Sequence, residues 1–365
     1  GPGNGAFLFC GRRSGLAGGV RAAMLWSMRA GRIDGVGEQD QAGRGKDERG
    51  KAWTRYWSSG RLHSCTGSYA GNYDGAIGRF WRALAADLAP QARVLDLATG
   101  NGPLPLLLWE ARGDALQVDA VDLAAVAPDW YRADRHGRIR FHSGVRMEAL
   151  PFADGSFDCV VSQFGFEYAE RGPALAECLR VSRPGATLAL VMHHHDSVLV
   201  RVGREELAHH GRLLATDGLL AAAGAALPWI ARARSGQPIT DLAAAPVARG
   251  HYNQAVQGLA EAARAPFAPD LLLEVRQAVH RLLAGVHAGN LAAATAALQA
   301  YAGELDGARL RTAEMVAHAL GPLQLDELEQ RLRQARPGLE VATAELAQAQ
   351  GVLAWSLLAA PAGCG

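Results

Sequence analysis

The run Val94-Leu95-Asp96-Leu97-Ala98-Thr99-Gly100-Asn101-Gly102 takes an apolar strand pattern through an acid into a small, glycine-rich turn, and a helical pattern starts at Leu104. Gly100 and Gly102 let the backbone turn tightly and come close to a ligand without a Cβ in the way. The helix beyond offers free N–H groups to an anionic group. A second apolar run ends at Asp122, about 20 residues after Gly102, where a carboxylate can accept both hydroxyl hydrogens of a ribose. Pro105 stands where a dinucleotide fingerprint needs a third small residue. Asp96 inside the strand also favours an amine-bearing or cationic ligand over a pyrophosphate. Together these residues suit a nucleoside ligand and speak against a nicotinamide oxidoreductase.

Two further groups fall where ligands of open α/β sheets bind, just past strand ends. Gln163-Phe164-Gly165-Phe166-Glu167-Tyr168 follows the fourth strand pattern and His193-His194-His195-Asp196 the fifth. His193 is the candidate base, because imidazole titrates near neutrality. Glu167 and Tyr168 are candidates for the acceptor side. Adjacent residues on a strand point to opposite faces, so three histidines in a row do not converge on a metal, and none is expected.

The order of patterns defines the frame that must hold these groups. Strand and helix signals alternate over Arg93–His193, which argues for a parallel sheet with helices on both faces. Strand signals then stop until Leu339–Leu346 and Val352–Ala359, which read as two closing strands. Between them lie helical stripes such as Leu272, Val275, Val279, Leu282 and Val286, and Leu325, Leu328 and Leu332. Ahead of the sheet, Trp53, Tyr56 and Trp57 share one helical face, and Ile77, Phe80, Trp81, Leu84 and Leu88 another; packing in the core explains most of these rings. Asn72-Tyr73 is a lesser candidate to close over a cation.

Three more segments complete a known pattern: Glu148-Ala149-Leu150-Pro151-Phe152, Asp154-Gly155-Ser156-Phe157-Asp158-Cys159-Val160-Val161-Ser162, and Arg180-Val181-Ser182-Arg183-Pro184-Gly185. With these in order, the chain resembles the class I S-adenosylmethionine (SAM)-dependent methyltransferases with a methyltransferase-11-type core. The likeness covers about residues 92–196. It implies an α/β, Rossmann-like, seven-stranded, mostly parallel sheet with a helical insertion before the last two strands. It also implies SAM as cofactor. Carried over by position, Asp96 lies near the methionine part, and Ala98, Gly100 and Gly102 match the three glycines, with Asn101 between the last two. Asp122 matches the ribose acid with Leu123 beside it, Met147 and Glu148 flank adenine, and Gln163 lines the pocket. One departure stands out. Where the family has an aspartate that accepts from the adenine amine, this sequence has Arg146, so adenine recognition shifts to backbone groups or Glu148.

The implied organisation is a disordered leader or upstream remnant over 1–50, an aromatic helical lid over 51–90 and a SAM-binding core over 91–196. A helical insertion over 197–337, for substrate or oligomerisation, and closing strands over 338–365 follow. Displacement of a sulfonium methyl needs alignment more than side-chain chemistry, so a base is required only for acceptors that must lose a proton. The expected enzyme methylates a small-molecule acceptor. The alternatives are a SAM-binding sensor or partner protein without methyl transfer, and a peptide or protein methyltransferase.

Composition bounds the rest. The 365 residues carry 37 Lys+Arg against 36 Asp+Glu and are 49% hydrophobic, which supplies a core but no global field for nucleic acid or anionic lipid. Neither of those partners is expected, and a homodimer would form through the insertion. The apolar stretch Leu213–Ala231 reads as water-soluble helices, because Asp217, Gly218, Gly224 and Pro228 interrupt it. Five cysteines at spacings that match neither zinc nor a disulfide framework point to a reducing, cytoplasmic setting.

Overall fold

The structure is a computed structural model, and it describes residues 49–64, 71–264 and 267–362. The leader expected over 1–50 lies outside the described residues except for Arg49 and Gly50. Those two already belong to the first helix, α1, over residues 49–57.

Seven strands form one sheet in the order β3-β2-β1-β4-β5-β7-β6. They are β1 (Arg93–Leu97), β2 (Gln117–Asp122), β3 (Ile139–Ser143), β4 (Phe157–Gln163), β5 (Ser182–His193), β6 (Leu339–Gln348) and β7 (Gly351–Pro361). β1 to β5 run parallel, and β7 is antiparallel to both β5 and β6. Strand order reverses at β1, which pairs with β2 on one side and β4 on the other. A crevice opens at such a switch point beyond the C-terminal strand ends.

Alternation along the strands builds two cores. Val94, Val118, Val161 and Val191 face α2 (Gly75–Asp87) and α3 (Pro103–Arg112), meeting Trp81, Leu104 and Leu108. Leu95, Leu97, Val160 and Leu190 face the other way, onto α4 (Arg171–Val181). The segment 198–335 contains α5 (Val198–Leu214), α6 (Leu219–Arg234), α7 (Ala244–Ala262), α8 (Asp270–Ala284), α9 (Leu291–His318) and α10 (Pro322–Ala335). α5 to α9 bury a core of their own, including Leu213, Leu227, Leu272, Val279, Leu298 and Leu305.

α10 differs from the sequence expectation. Its Leu325, Leu328 and Leu332 pack beside Leu175 and Val341 on the second face of the sheet, so it belongs to the core, not to the inserted block. Its apolar stripe is continuous with the strand residues it covers. The stretch Leu213–Ala231 is likewise divided, since α5 ends at Leu214 and α6 begins at Leu219. By length and composition alone, Val198–Arg234 contains an 18-residue window apolar enough to cross a membrane, with mean hydropathy 1.5. In the fold, Leu219, Leu220, Ala223, Leu227 and Ala231 of α6 face the other helices of the block.

α9 carries the block back to the sheet. Its 28 residues span about 42 Å. Leu320, just past its end, is tied to β5: Leu320 N donates to His193 O at 2.8 Å and His195 N to Leu320 O at 3.0 Å.

Candidate functional site

A cavity of about 260 Å³ lies over the switch point, and the ends of β1, β2 and β4 form its floor through Ala98, Asp122 and Phe164. The turns that create it hold unusual backbone. Ala98 and Phe164 have φ of 53° and 54°, a region rare for residues with a Cβ, and Gly100 and Gly102 have φ of 54° and 70°. At Ala98 and Phe164 such strain costs on the order of 1–3 kcal/mol each and persists where the surroundings fix it, whereas the two glycines adopt it freely. Gly165 is required sterically, because a Cβ there would overlap Ala98 Cβ.

Asp122 Oδ2 accepts from Gly100 N and its Oδ1 from Ala124 N, both at 2.7 Å. This couples the glycine turn to the end of β2. Burial pushes the Asp122 carboxyl up to about 6, with those two N–H groups working in the opposite direction. Asp96 is 1% exposed and does not reach the cavity wall. Burial, with a smaller contribution from the charge of Asp122, pushes its carboxyl up to about 8. Asp96 Oδ2 is buried with no hydrogen-bond partner. The same holds for Gln163 Nε2, whose Oε1 accepts from Trp81 Nε1 at 2.5 Å.

α1 roofs the cavity. Trp53 and Trp57 stack with centroids 5.6 Å apart and both line it. Trp57 lies against Gly100 so closely that a Cβ there would collide with the indole. Asn101 Nδ2 fastens the roof to the glycine turn, donating to Trp57 O at 2.8 Å and Arg61 O at 2.7 Å. From the far side α9 closes in. Arg49 pairs with Glu314 at 2.5 Å, and its Nη1 donates to Tyr168 O at 3.1 Å. The Arg311 guanidinium lies 4.5 Å from the Tyr56 ring centre. His318, at the end of α9, reaches the cavity beside Tyr168 at a ring separation of 5.4 Å.

Glu167 and His193 form a buried pair behind that wall. Glu167 Oε1 accepts from His193 N at 2.8 Å and lies 2.7 Å from His193 Nδ1. The Phe164 ring stacks on the imidazole at 4.2 Å. His194 turns to the opposite face, against Trp355 and Glu345, and His195 pairs with Asp196.

Among the residues singled out by sequence, Ala98, Asp122, Leu123, Met147, Glu148 and Tyr168 meet at the cavity. Asp96, Gly100, Asn101, Gly102 and Gln163 stand behind it or beneath the turn, and Glu167 and His193 are screened by Phe164. Tyr73, considered above as a cover for the cofactor, is core instead: it is 3% exposed and stacks with His63. Asn72 Nδ2 donates to Pro103 O. Arg49 and His318 carried no sequence signal, since one lies at the edge of the leader and the other deep in the insertion. The spacing of Trp53 and Trp57 gave their helix but not that it faces a cavity.

An acid at the end of β2, a roofed crevice beside it, and unpartnered Asp96 and Gln163 atoms behind the crevice wall suit a nucleoside joined to an amino-acid end. A carboxylate and an amide are the chemistry an α-ammonium and α-carboxylate require. A methyltransferase-domain model matches residues 94–185. A demethylmenaquinone methyltransferase of Thermus thermophilus is 41% identical over 118 residues, covering 30% of this chain and 53% of that protein. A ubiquinone/menaquinone biosynthesis C-methyltransferase of Methylobacterium nodulans is 34% identical over 181 residues, covering 43% of this chain and 71% of that one. A solved SAM-dependent methyltransferase from Aquifex aeolicus shares 24% identity with a TM-score of 0.29, covering 32% of this chain and 64% of its own. The chain thus spans about half the length of the Thermus relative and more of the Methylobacterium one. It belongs to the class I SAM-dependent methyltransferases, whose methyl donor is SAM.

Proposed function

We propose that this chain transfers the methyl group of SAM to a small, ring-bearing organic acceptor, of the quinone-related kind that the names of the two relatives indicate. The observation that carries the reading is the composition of the crevice: Ala98 and Asp122 on one side, Trp53, Phe164 and Tyr168 on the other. The bound cofactor supplies a methyl already activated by its sulfonium.

The residues of the chain provide position and exclusion of water. Asp122 would accept from the ribose hydroxyls; Asp96 Oδ2 and Gln163 Nε2 lie behind the cavity wall, which has to give way for them to meet the α-ammonium and the α-carboxylate. Leu123, Met147 and Glu148 border the base, and Ala98, Gly100, Asn101 and Gly102 form the turn beneath. Trp53, Trp57 and the clasp of Arg49 to α9 close the roof, which holds acceptor and methyl in line and keeps out water. For acceptors that must lose a proton, His193 is the base: Glu167 accepts its Nδ1–H, which fixes the tautomer and leaves Nε2 as acceptor. Phe164 then has to yield for Nε2 to reach the ring hydroxyl. We also propose a reducing, cytoplasmic setting, in which the buried thiols Cys159 and Cys178 stay free.

The test is incubation of the full chain with methyl-labelled SAM and a panel of hydroquinones, phenols and peptides. Label in a ring acceptor, lost on Asp122→Ala, is the expected outcome. Cofactor binding without S-adenosylhomocysteine formation from any acceptor would count against methyl transfer, and label in peptides alone against the small-molecule acceptor.

A further inference from the structure

The turn after β3 sets a cation beside an anion on the base side of the cavity. Val145, Arg146, Met147 and Glu148 all line it there. The turn is referenced to the end of β2, because Val145 N donates to Asp122 O at 2.9 Å, and it is closed by Ala149 N donating to Arg146 O at 3.1 Å. Glu148 is held from the other side, its Oε1 accepting from Glu170 N at 3.1 Å. Its Oε2 faces Arg146 Nε at 3.7 Å, beyond hydrogen-bond length. Among the described residues Arg146 has no other ionic partner, so the fork of its guanidinium remains available to a ligand. Its side chain is 45% exposed and that of Glu148 18%, so Glu148 is the more enclosed member and Arg146 the more open one.

A purine seated beyond Asp122 meets a donor and an acceptor side by side. Adenine offers a ring nitrogen that accepts and an exocyclic amine that donates. A 6-oxopurine offers a carbonyl that accepts and a ring N–H that donates. A guanidinium next to a carboxylate satisfies either edge by exchanging which group each one reads. A carboxylate at position 146 would satisfy adenine alone, since its oxygens would oppose the 6-oxo group, and a mismatched polar site rejects its ligand strongly.

We propose that Arg146 determines base specificity in this enzyme: with Glu148 it reads the purine edge as a donor–acceptor pair, and the pocket accepts S-inosyl as well as S-adenosyl ligands. The inference rests on the reading of the cavity as the SAM site.

The test is titration calorimetry of the full chain with S-adenosylhomocysteine and S-inosylhomocysteine, on wild type, Arg146→Ala and Arg146→Asp. Wild type should bind the two within about 10-fold of each other. Arg146→Asp should widen the preference for adenine by about 10- to 100-fold, the scale of a hydrogen bond to a charged group, and Arg146→Ala should fall between. The ratio is internal to each variant, so a fraction of misfolded protein cancels. A wild-type preference for adenine above about 100-fold, or a ratio that Arg146→Asp leaves unchanged while S-adenosylhomocysteine still binds, would overturn this inference alone. Binding of neither ligand to wild type would overturn the SAM reading and this one with it.

Discussion

Replacing Asp96 by asparagine should stabilise the cofactor-free protein at alkaline pH while weakening its grip on SAM. The Asp96 carboxyl is raised from 3.8 to about 8 by burial, and Oδ2 has no partner. Below the unfolded value it is protonated in folded and unfolded chains alike, so its burial costs nothing through ionisation. As pH rises through the window from 3.8 to about 8 the unfolded chain ionises first, and stability is lost progressively. A shift of about four units corresponds to on the order of 5 kcal/mol at pH 8. The amide is already neutral, so Asp96→Asn should recover on the order of 3 kcal/mol there, allowing for relaxation, and almost nothing at pH 4. Urea unfolding at the two pH values reads this directly. Binding moves the other way: loss of a charged partner for the α-ammonium should cost about 10- to 100-fold in SAM affinity. Because the cation must expel a proton from Asp96, wild-type affinity should climb with pH up to about 8, and the slope should vanish in the variant. Equal destabilisation of Asp96→Asn at pH 4 and pH 8, or an unchanged pH slope, would refute the reasoning.

Three further outcomes are expected. Asp122→Ala removes both the ribose acceptor and the anchor of the Gly100 and Ala124 N–H groups, so SAM affinity measured by calorimetry should fall by more than about 100-fold. Gly165→Ala places a Cβ onto that of Ala98 and should cost about 1–3 kcal/mol in urea unfolding, whatever the pH. Glu167→Gln should leave S-adenosylhomocysteine affinity near wild type. It should slow transfer to hydroxyl-bearing acceptors by about 10²-fold or more; an unchanged rate would remove His193 from the chemistry.

Much of the frame was legible because its signals are local. The apolar runs that end at Asp96 and Asp122 give β1 and β2 directly, and the small residues from Ala98 to Gly102 mark the turn, where three residues have positive φ. The histidine run was legible as well: alternation along β5 predicts that His193 and His194 part to opposite faces, and their partners do differ. The placement of α10 was not, because a Leu stripe states only that one face is apolar, and the partner of that face is a long-range choice.

The order of strands and helices, the glycine turn and the identity of the acids that flank it can therefore be read from the residues in line. Each follows from periodicity, backbone freedom or charge within a short window. The tertiary structure alone decided what closes the site. Arg49 and His318 are 269 residues apart, yet their side chains meet at 3.2 Å because α9 returns from the inserted block to the end of β4. It also decided that Phe164 screens His193, and that Asp96 lies behind the wall with an unpartnered oxygen. Proximity, burial and the pKa values they set depend on which distant surfaces pack together, and no local pattern encodes that choice.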